Sequence, residues 1–180
     1  GHEPTLSNMV VAASQDPEII EYAQAAGAKR INISGICCTA NEILMRQGIP
    51  AAGNFLHQEL AILTGAVEAM VVDVQCIMQA LVALAENFHT KIITTSPKVK
   101  IKGATHIEFD EHQALPIARK ILKLAVDNYK NRGKTHIPKI LEDLVPGFSH
   151  EYINYMLGGS YRASFRPLND AIMSGRIRGV

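Results

Sequence analysis

The sequence predicts an α/β fold: a Rossmann-like parallel sheet flanked by helices, followed by the start of a second α/β unit. Three observations carry this expectation. Short β-rich runs alternate with helical patterns, the signature of successive βα units. The run Ala69-Met70-Val71-Val72-Asp73-Val74 is almost continuously apolar, as strands covered on both faces of a parallel sheet are. Apolar residues make up 47% of the 180, enough at this length to bury a sizeable core.

The elements follow in order. Leu6, Met9, Val10 and Ala13 recur at i, i+3, i+4, i+7, and Ile19, Ile20 and Ala23 resume the stripe past Pro17. That spacing predicts helix up to a stop at Gly27. Residues 30–34 are short and β-rich and lead into a cysteine turn. Residues 39–47 read as a helix ended by Gly48, 51–56 as a strand, and 57–64 as a helix closed by Gly65. Residues 69–74 form the buried strand, 77–87 a strongly apolar helix, 91–95 and 105–109 two more strands, and about 111–131 a long helix. No strand precedes Leu6, so the chain is expected to open inside a βα unit. Pro138, Pro146 and two glycines make 133–148 read as a linker. A Rossmann-like domain is therefore expected over 1–147, and 148–180 as the beginning of a second, truncated α/β domain. That part has helical patterns at 150–157 and 168–174 and an incipient strand at 176–180.

Composition excludes several classes of function. The net charge is +1, so no global basic field for nucleic acid exists. No uncharged apolar stretch is long enough for a membrane span. The opening GHEPTLSN lacks the basic and apolar regions of a secretory leader. Three cysteines, two of them adjacent, argue against a disulfide framework and for a reducing, cytoplasmic setting.

Cys37 and Cys38 in GICCTANE follow the expected strand 30–34, and Cys76 in VVDVQC follows 69–74. Both places are carboxyl ends of strands, beyond which open parallel sheets bind ligands. His2 stands just before a helix, at the same kind of edge. Thiols and an imidazole on one rim suit zinc, nickel, or iron in a sulfur cluster. Each Cys reads equally well as a small buried apolar residue. No CxxC occurs, so zinc-ribbon and thioredoxin patterns fail. A Cys–His catalytic pair with His57 or His89 as base remains open, with no motif to select either. His57, His89, His106, His112, His136 and His150 show no ligand spacing. Asp73 and Glu42 stand beside the cysteines, where their hydrogen bonds could tune the site, although Glu42 also suits a helix's first turn. Asn54 and Gln75 are placed to satisfy backbone groups. Gly53, Gly158 and Gly159 read as turn residues, since no GxGxxG follows a strand.

The wording of the chain is more specific than its spacing. The segment GICCTANEILMRQGIPAAGNFLHQELAILTGAVEAMVVDVQCIM, the opening GHEPTLS and the closing LGGSYRASFRPLNDAIMSGRIRGV resemble the anaerobic nickel-dependent carbon monoxide dehydrogenases. The resemblance covers nearly the whole chain and corresponds to a central part of the catalytic subunit. It implies a nickel–iron–sulfur cluster at which CO is oxidised with water to CO2, two protons and two electrons. It selects His2, Cys38 and Cys76 as ligands, with further Cys ligands past Val180. Successive strand-like residues face opposite sides, so Cys37 and Cys38 are not expected both to face one metal, and the resemblance selects Cys38. The resemblance also implies 4Fe-4S relay clusters in an N-terminal region not in this chain, a ferredoxin-like electron carrier and a homodimer. No nucleic-acid partner is expected, and the chain by itself is expected to be inactive. The sequence departs from the pattern at Gln79, where the family has Pro, and in a slightly long His2–Cys38 spacing that the loop 14–17 could absorb. Two rival readings stand: a hybrid-cluster hydroxylamine reductase relative, and a non-enzymatic α/β binding module.

Overall fold

The computed structural model describes residues 2–39, 44–140, 142, 148–158 and 166–179. The chain divides into two compact units, Gly1–Glu142 and Asp143–Val180. In the first, helices α1 (Pro4–Ser14) and α2 (Pro17–Ala25) are followed by strands β1 (Gly35–Ile36) and β2 (Ala51–Gly53). Then come helix α3 (Gln58–Leu63), strand β3 (Ala69–Val72), helix α4 (Ala80–Ala85), strands β4 (Lys91–Thr94) and β5 (Thr105–His106), and the long helix α5 (Ala114–Tyr129). All strand pairs are parallel, in a two-stranded sheet β1-β2 and a three-stranded sheet β3-β4-β5.

The three-stranded sheet is covered on both faces, which is why β3 and β4 lack a polar face. Side chains alternate along each strand. Met70, Val72 and Ile92 face Ile62 of α3 and Leu81, Val82 and Ala85 of α4. Ala69, Val71 and Ile93 face Leu6 of α1 and Ile121 of α5. Ala13, Ile19, Ala118 and Leu122 then tie α1, α2 and α5 into one layer. The break between α1 and α2 has a local cause. Pro17 occupies a first-turn position and the Asp16 carboxylate accepts from the Glu18 N–H at 3.0 Å, a proline-led helix start with a side-chain cap.

Several elements are shorter than their sequence patterns. Residues 30–34 form no strand. Their neighbours in register would be the 3-10 turn Met45–Gln47 and Pro50, which has no N–H to donate; Pro50 only accepts, from the Gly35 N–H at 3.0 Å. The strand expected over 51–56 stops at Gly53, because Asn54 withdraws the backbone from the ladder. Its side chain accepts from the Leu56 N–H at 2.9 Å, and its own N–H donates to His57 Nδ1 at 3.1 Å. Of the helix expected over 39–47, residues 40–43 lie outside the described ones; Cys38 and Thr39 are helical and Met45–Gln47 form a 3-10 turn. Beyond β5 the chain still hydrogen-bonds β4, Ile107 to Thr94 and Phe109 to Thr95, both at 2.9 Å. The stretch 133–140 is irregular and is tied to the first unit by the His136 N–H, which donates to the Thr64 carbonyl at 2.8 Å.

The amino edge of the three-stranded sheet is closed by a polar lock. Asn128, 2% exposed, donates from Nδ2 to the carbonyls of Glu68 and His89. The Glu68 carboxylate pairs with Arg132 through two bonds of 2.6 and 2.8 Å and with His89 Nε2 at 3.1 Å. Burial alone would raise the Glu68 pKa, but Arg132 and His89 outweigh it and hold the group below its ordinary 4.5. A folded-state pKa below the unfolded one adds stability at neutral pH that is lost as pH falls through the folded value. Glu68→Gln should therefore lower stability at pH 7 by about 1–3 kcal/mol. The gap to wild type should close as acid protonates Glu68, below its ordinary 4.5. Urea midpoints at neutral and acid pH measure this; a gap that is the same at both would show that the charge contributes nothing.

The second unit contains helices α6 (His150–Gly158) and α7 (Arg166–Met173). Residues 176–179 form no strand, for a strand needs a ladder partner and none stands beside it among the described residues. Among the described residues no helix is long and apolar enough to cross a membrane.

Candidate metal centre

Both cysteine segments leave the carboxyl ends of strands. Cys37 follows β1, and its N–H donates to the Gly53 carbonyl at the end of β2, at 3.1 Å. Cys76 lies beyond the end of β3. Although β1 and β3 belong to different sheets, Cys76 lies near enough to Cys37 to act on its thiol electrostatically. Cys37 is buried, Cys38 and Cys76 half-buried, and all three thiols are free. Burial pushes the Cys37 thiol pKa up, and the neighbouring Cys76 and Cys38 add to the shift.

The backbone is unusual at both Cys37 and Cys76. Cys37 has φ 61° and Cys76 φ 56°, the only non-glycine residues in the left-handed region among those described. Side-chain-bearing residues occupy that region at a cost of roughly 1–3 kcal/mol, mostly at functional sites. At Cys76 the conformation is held by Gln58, itself 3% exposed, whose Nε2 donates to the Cys76 carbonyl at 2.9 Å.

His2 is placed by a buried carboxylate. Asp73, 4% exposed, directly follows β3 and accepts four short bonds. His2 N–H lies 2.7 and 2.6 Å from its two oxygens, Glu3 N–H 2.6 Å and Val74 N–H 2.5 Å. Asp73 thereby ties the start of α1 to the strand that leads to Cys76. The His2 residue is exposed.

The structure therefore brings Cys76 into the neighbourhood of Cys37 and Cys38 and anchors the His2 backbone on Asp73. The reason expected for Cys37 and Cys38 to diverge is corrected: they are not strand neighbours. Cys37 sits in a left-handed turn and Cys38 opens a helix. Among the described residues, no three His, Cys, Asp or Glu side chains stand in an arrangement that holds a metal ion. The donor chemistry nonetheless fits a soft-metal or iron–sulfur group, and Thr39 Oγ1, beside Cys38, is buried with no hydrogen-bond partner among the described residues.

The other histidines are occupied elsewhere or exposed. His57 caps the turn after Gly53, His89 sits in the lock at the opposite sheet edge, and His106 Nδ1 meets Thr94 Oγ1 at 2.9 Å. Neither His57 nor His89 partners a thiol in these bonds. Glu42 lies outside the described residues. Gln79, where Pro was expected, begins α4 with φ −60°, a value proline shares, so the backbone follows the pattern despite the substitution. Gln58 escaped the sequence reading. Its signal was its place four residues before Ile62, on the buried face of α3.

This architecture, with its thiols beyond a parallel sheet, has a family. The chain belongs to the Prismane/CO dehydrogenase family, whose model matches residues 1–180. Within that family it is similar to carbon monoxide dehydrogenase 1 of Methanosarcina mazei, 53% identical over 182 aligned residues, which cover all of this chain and 28% of that protein. Two solved structures have the same fold. One is an as-isolated, nickel-free carbon monoxide dehydrogenase from Thermococcus sp. AM4, with TM-score 0.81 and 49% identity over 99% of this chain and 28% of that one. The other is an acetyl-CoA synthase/carbon monoxide dehydrogenase described with NiZn[Fe4S4] and NiNi[Fe4S4] clusters in its alpha subunits, with TM-score 0.81 and 45% identity over 99% of this chain and 27% of that one. The chain thus spans about 28% of the length of the relatives it matches.

Proposed function

We propose that the protein supplies His2, Cys38 and Cys76 as part of the ligand set of a nickel–iron–sulfur cluster in an enzyme that oxidises CO with water to CO2, two protons and two electrons. One observation supports this: segments far apart in sequence carry Cys37, Cys38 and Cys76 out from the carboxyl ends of β1 and β3, with Cys76 near enough to Cys37 to act on its thiol. They do so in a chain that is 53% identical, over its whole length, to a carbon monoxide dehydrogenase. When bound, the cluster supplies the redox and Lewis-acid chemistry for CO and water. The residues of this chain hold and orient it. The two cysteine segments furnish thiolates from rigid strand ends, His2 furnishes an imidazole fixed through its own backbone, and the packed sheet keeps these donors apart from the lock at the opposite edge. The electrons would pass to 4Fe-4S relays outside this chain and on to a ferredoxin-like carrier, in a cytoplasmic homodimer. The names of the matched relatives favour this reading over a hydroxylamine reductase relative or a non-enzymatic module.

The test is metal content together with CO-dependent reduction of a viologen dye, measured under anaerobic conditions. The full-length enzyme should contain nickel and turn over. The 180-residue chain, treated with iron, sulfide and nickel, should show no turnover above a Cys38→Ala/Cys76→Ala control, since a cluster needs its full set of deprotonated ligands. Nickel-free full-length protein that retains its other metals would move the assignment to the hydroxylamine reductase branch.

A further inference from the structure

We infer that Asp73 and Gln58 are positioning residues that set His2 and Cys76 in ligand-ready places before any metal arrives; this rests on the ligand reading above. Two observations made without reference to metal point the same way. The Asp73 carboxylate is buried, yet among the described residues it pairs with no cation. All its described bonds go to backbone N–H groups, and two of those belong to His2 and Glu3, some seventy residues away in sequence. A buried carboxylate is costly unless its oxygens are satisfied, so the amino end of α1 is drawn to the end of β3 and held there. Gln58 is also buried, and its amide reaches the carbonyl of Cys76, the residue in the left-handed region. A left-handed turn at a β-carbon-bearing residue persists only where its surroundings over-determine it, and this bond is the described contact that does so from a neighbouring helix.

The two residues act on either side of one short segment. Asp73 directly follows β3 and Cys76 comes three positions on, so fixing Asp73 to the His2 N–H and the Cys76 carbonyl to Gln58 sets the relative places of the two ligand residues' backbones. Neither Asp73 nor Gln58 donates an atom to the metal. Partners of this kind, which orient ligands without binding, typically change metal affinity by roughly 10- to 100-fold when removed.

Asp73→Asn replaces one acceptor oxygen with a donor facing N–H groups, and Gln58→Leu keeps bulk while deleting the bond to Cys76. Cobalt(II) alone is the probe, titrated anaerobically into the 180-residue chain and followed by sulfur-to-cobalt charge-transfer absorbance, with circular dichroism and thermal unfolding recorded for every variant. Wild type should bind, and His2→Ala and Cys76→Ala should each weaken binding at least about tenfold. Asp73→Asn and Gln58→Leu should weaken it roughly 10- to 100-fold while remaining folded. Asn128→Ala, which opens the lock at the far sheet edge, serves as the control for lost stability and should leave affinity within about twofold, the scale of a site it does not touch. If His2→Ala and Cys76→Ala leave binding unchanged, the ligand reading fails. If those two weaken binding but Asp73→Asn and Gln58→Leu do not, the positioning inference alone is overturned. Equal weakening by Asn128→Ala, or no binding by wild type, also overturns it, since a ready-made site was its claim. Should Asp73→Asn fail to fold, Gln58→Leu decides.

Discussion

In the full-length enzyme, Cys38→Ala should abolish the intact cluster, with nickel per protomer falling at least about tenfold, while Cys37→Ala should keep most of its nickel. The two cysteines are neighbours in sequence but not in situation. Cys37 is 9% exposed and lies near Cys76 in a left-handed turn; Cys38 is more open and begins the following helix. The backbone therefore turns between them, and one metal atom is poorly placed to take both thiols. Cys37 is the better described as packing, a small buried apolar side chain near Cys76. Its replacement by Ala removes one sulfur from a covered site and should cost stability before it costs metal. Nickel and iron analysis of the two variants, purified side by side, makes the measurement. Nickel lost from Cys37→Ala and retained by Cys38→Ala would reverse the assignment and make Cys37 and Cys76 the ligand pair.

Gly53→Ala should destabilise the first unit by about 2–6 kcal/mol. Two costs add. Gly53 has φ +145°, where a side chain is strained, at roughly 1–3 kcal/mol. The new Cβ would stand 2.6 Å from His57 Cβ and Nδ1, and overpacking of this kind costs typically about 1–3 kcal/mol. His57 has little freedom to yield, because its Nδ1 holds the Asn54 N–H and closes the turn. The consequence reaches the cysteines, since the Gly53 carbonyl accepts the Cys37 N–H. In a double variant, His57→Gly, which removes the clashing Cβ together with the ring, should recover the steric part and leave the conformational part. Denaturant unfolding of the two single variants and the double one separates them. Gly53→Ala within about 0.5 kcal/mol of wild type, the range of an ordinary surface change, would show that the turn adapts freely.

How much of this was legible in the sequence depends on whether the cause is local. Helices α1, α2 and α5 and strands β3 and β4 are written in periodicity, proline placement and capping residues, and these are properties of neighbours along the chain. The carboxyl-end placement of Cys76 followed from strand-then-cysteine order; Cys37 and Cys38 also leave a strand end, but that strand is β1 and not the 30–34 expected. The resemblance to carbon monoxide dehydrogenases was likewise carried by contiguous words, and the family match bears it out. Element ends were less legible. Residues 30–34 have strand composition but lack a partner able to donate, and Asn54 ended β2 through hydrogen bonds to Leu56 and His57; ladder pairing and competing side-chain bonds are not composition.

The remaining decisions belonged to tertiary structure alone. Nothing in the order of residues says that a two-stranded sheet would bring Cys37 near a cysteine from a different sheet, or that both would take a left-handed backbone. Nothing says that the Asp73 carboxylate would spend its bonds on the N–H groups of His2 and Glu3, or that Gln58 would be buried to hold the Cys76 carbonyl. Each is a contact between segments distant in sequence, made because burying a polar group is tolerable only where a partner meets it. The sequence determined which donor atoms exist and at which strand ends they emerge; the packing of α1, α3 and the two sheets decided which of them meet.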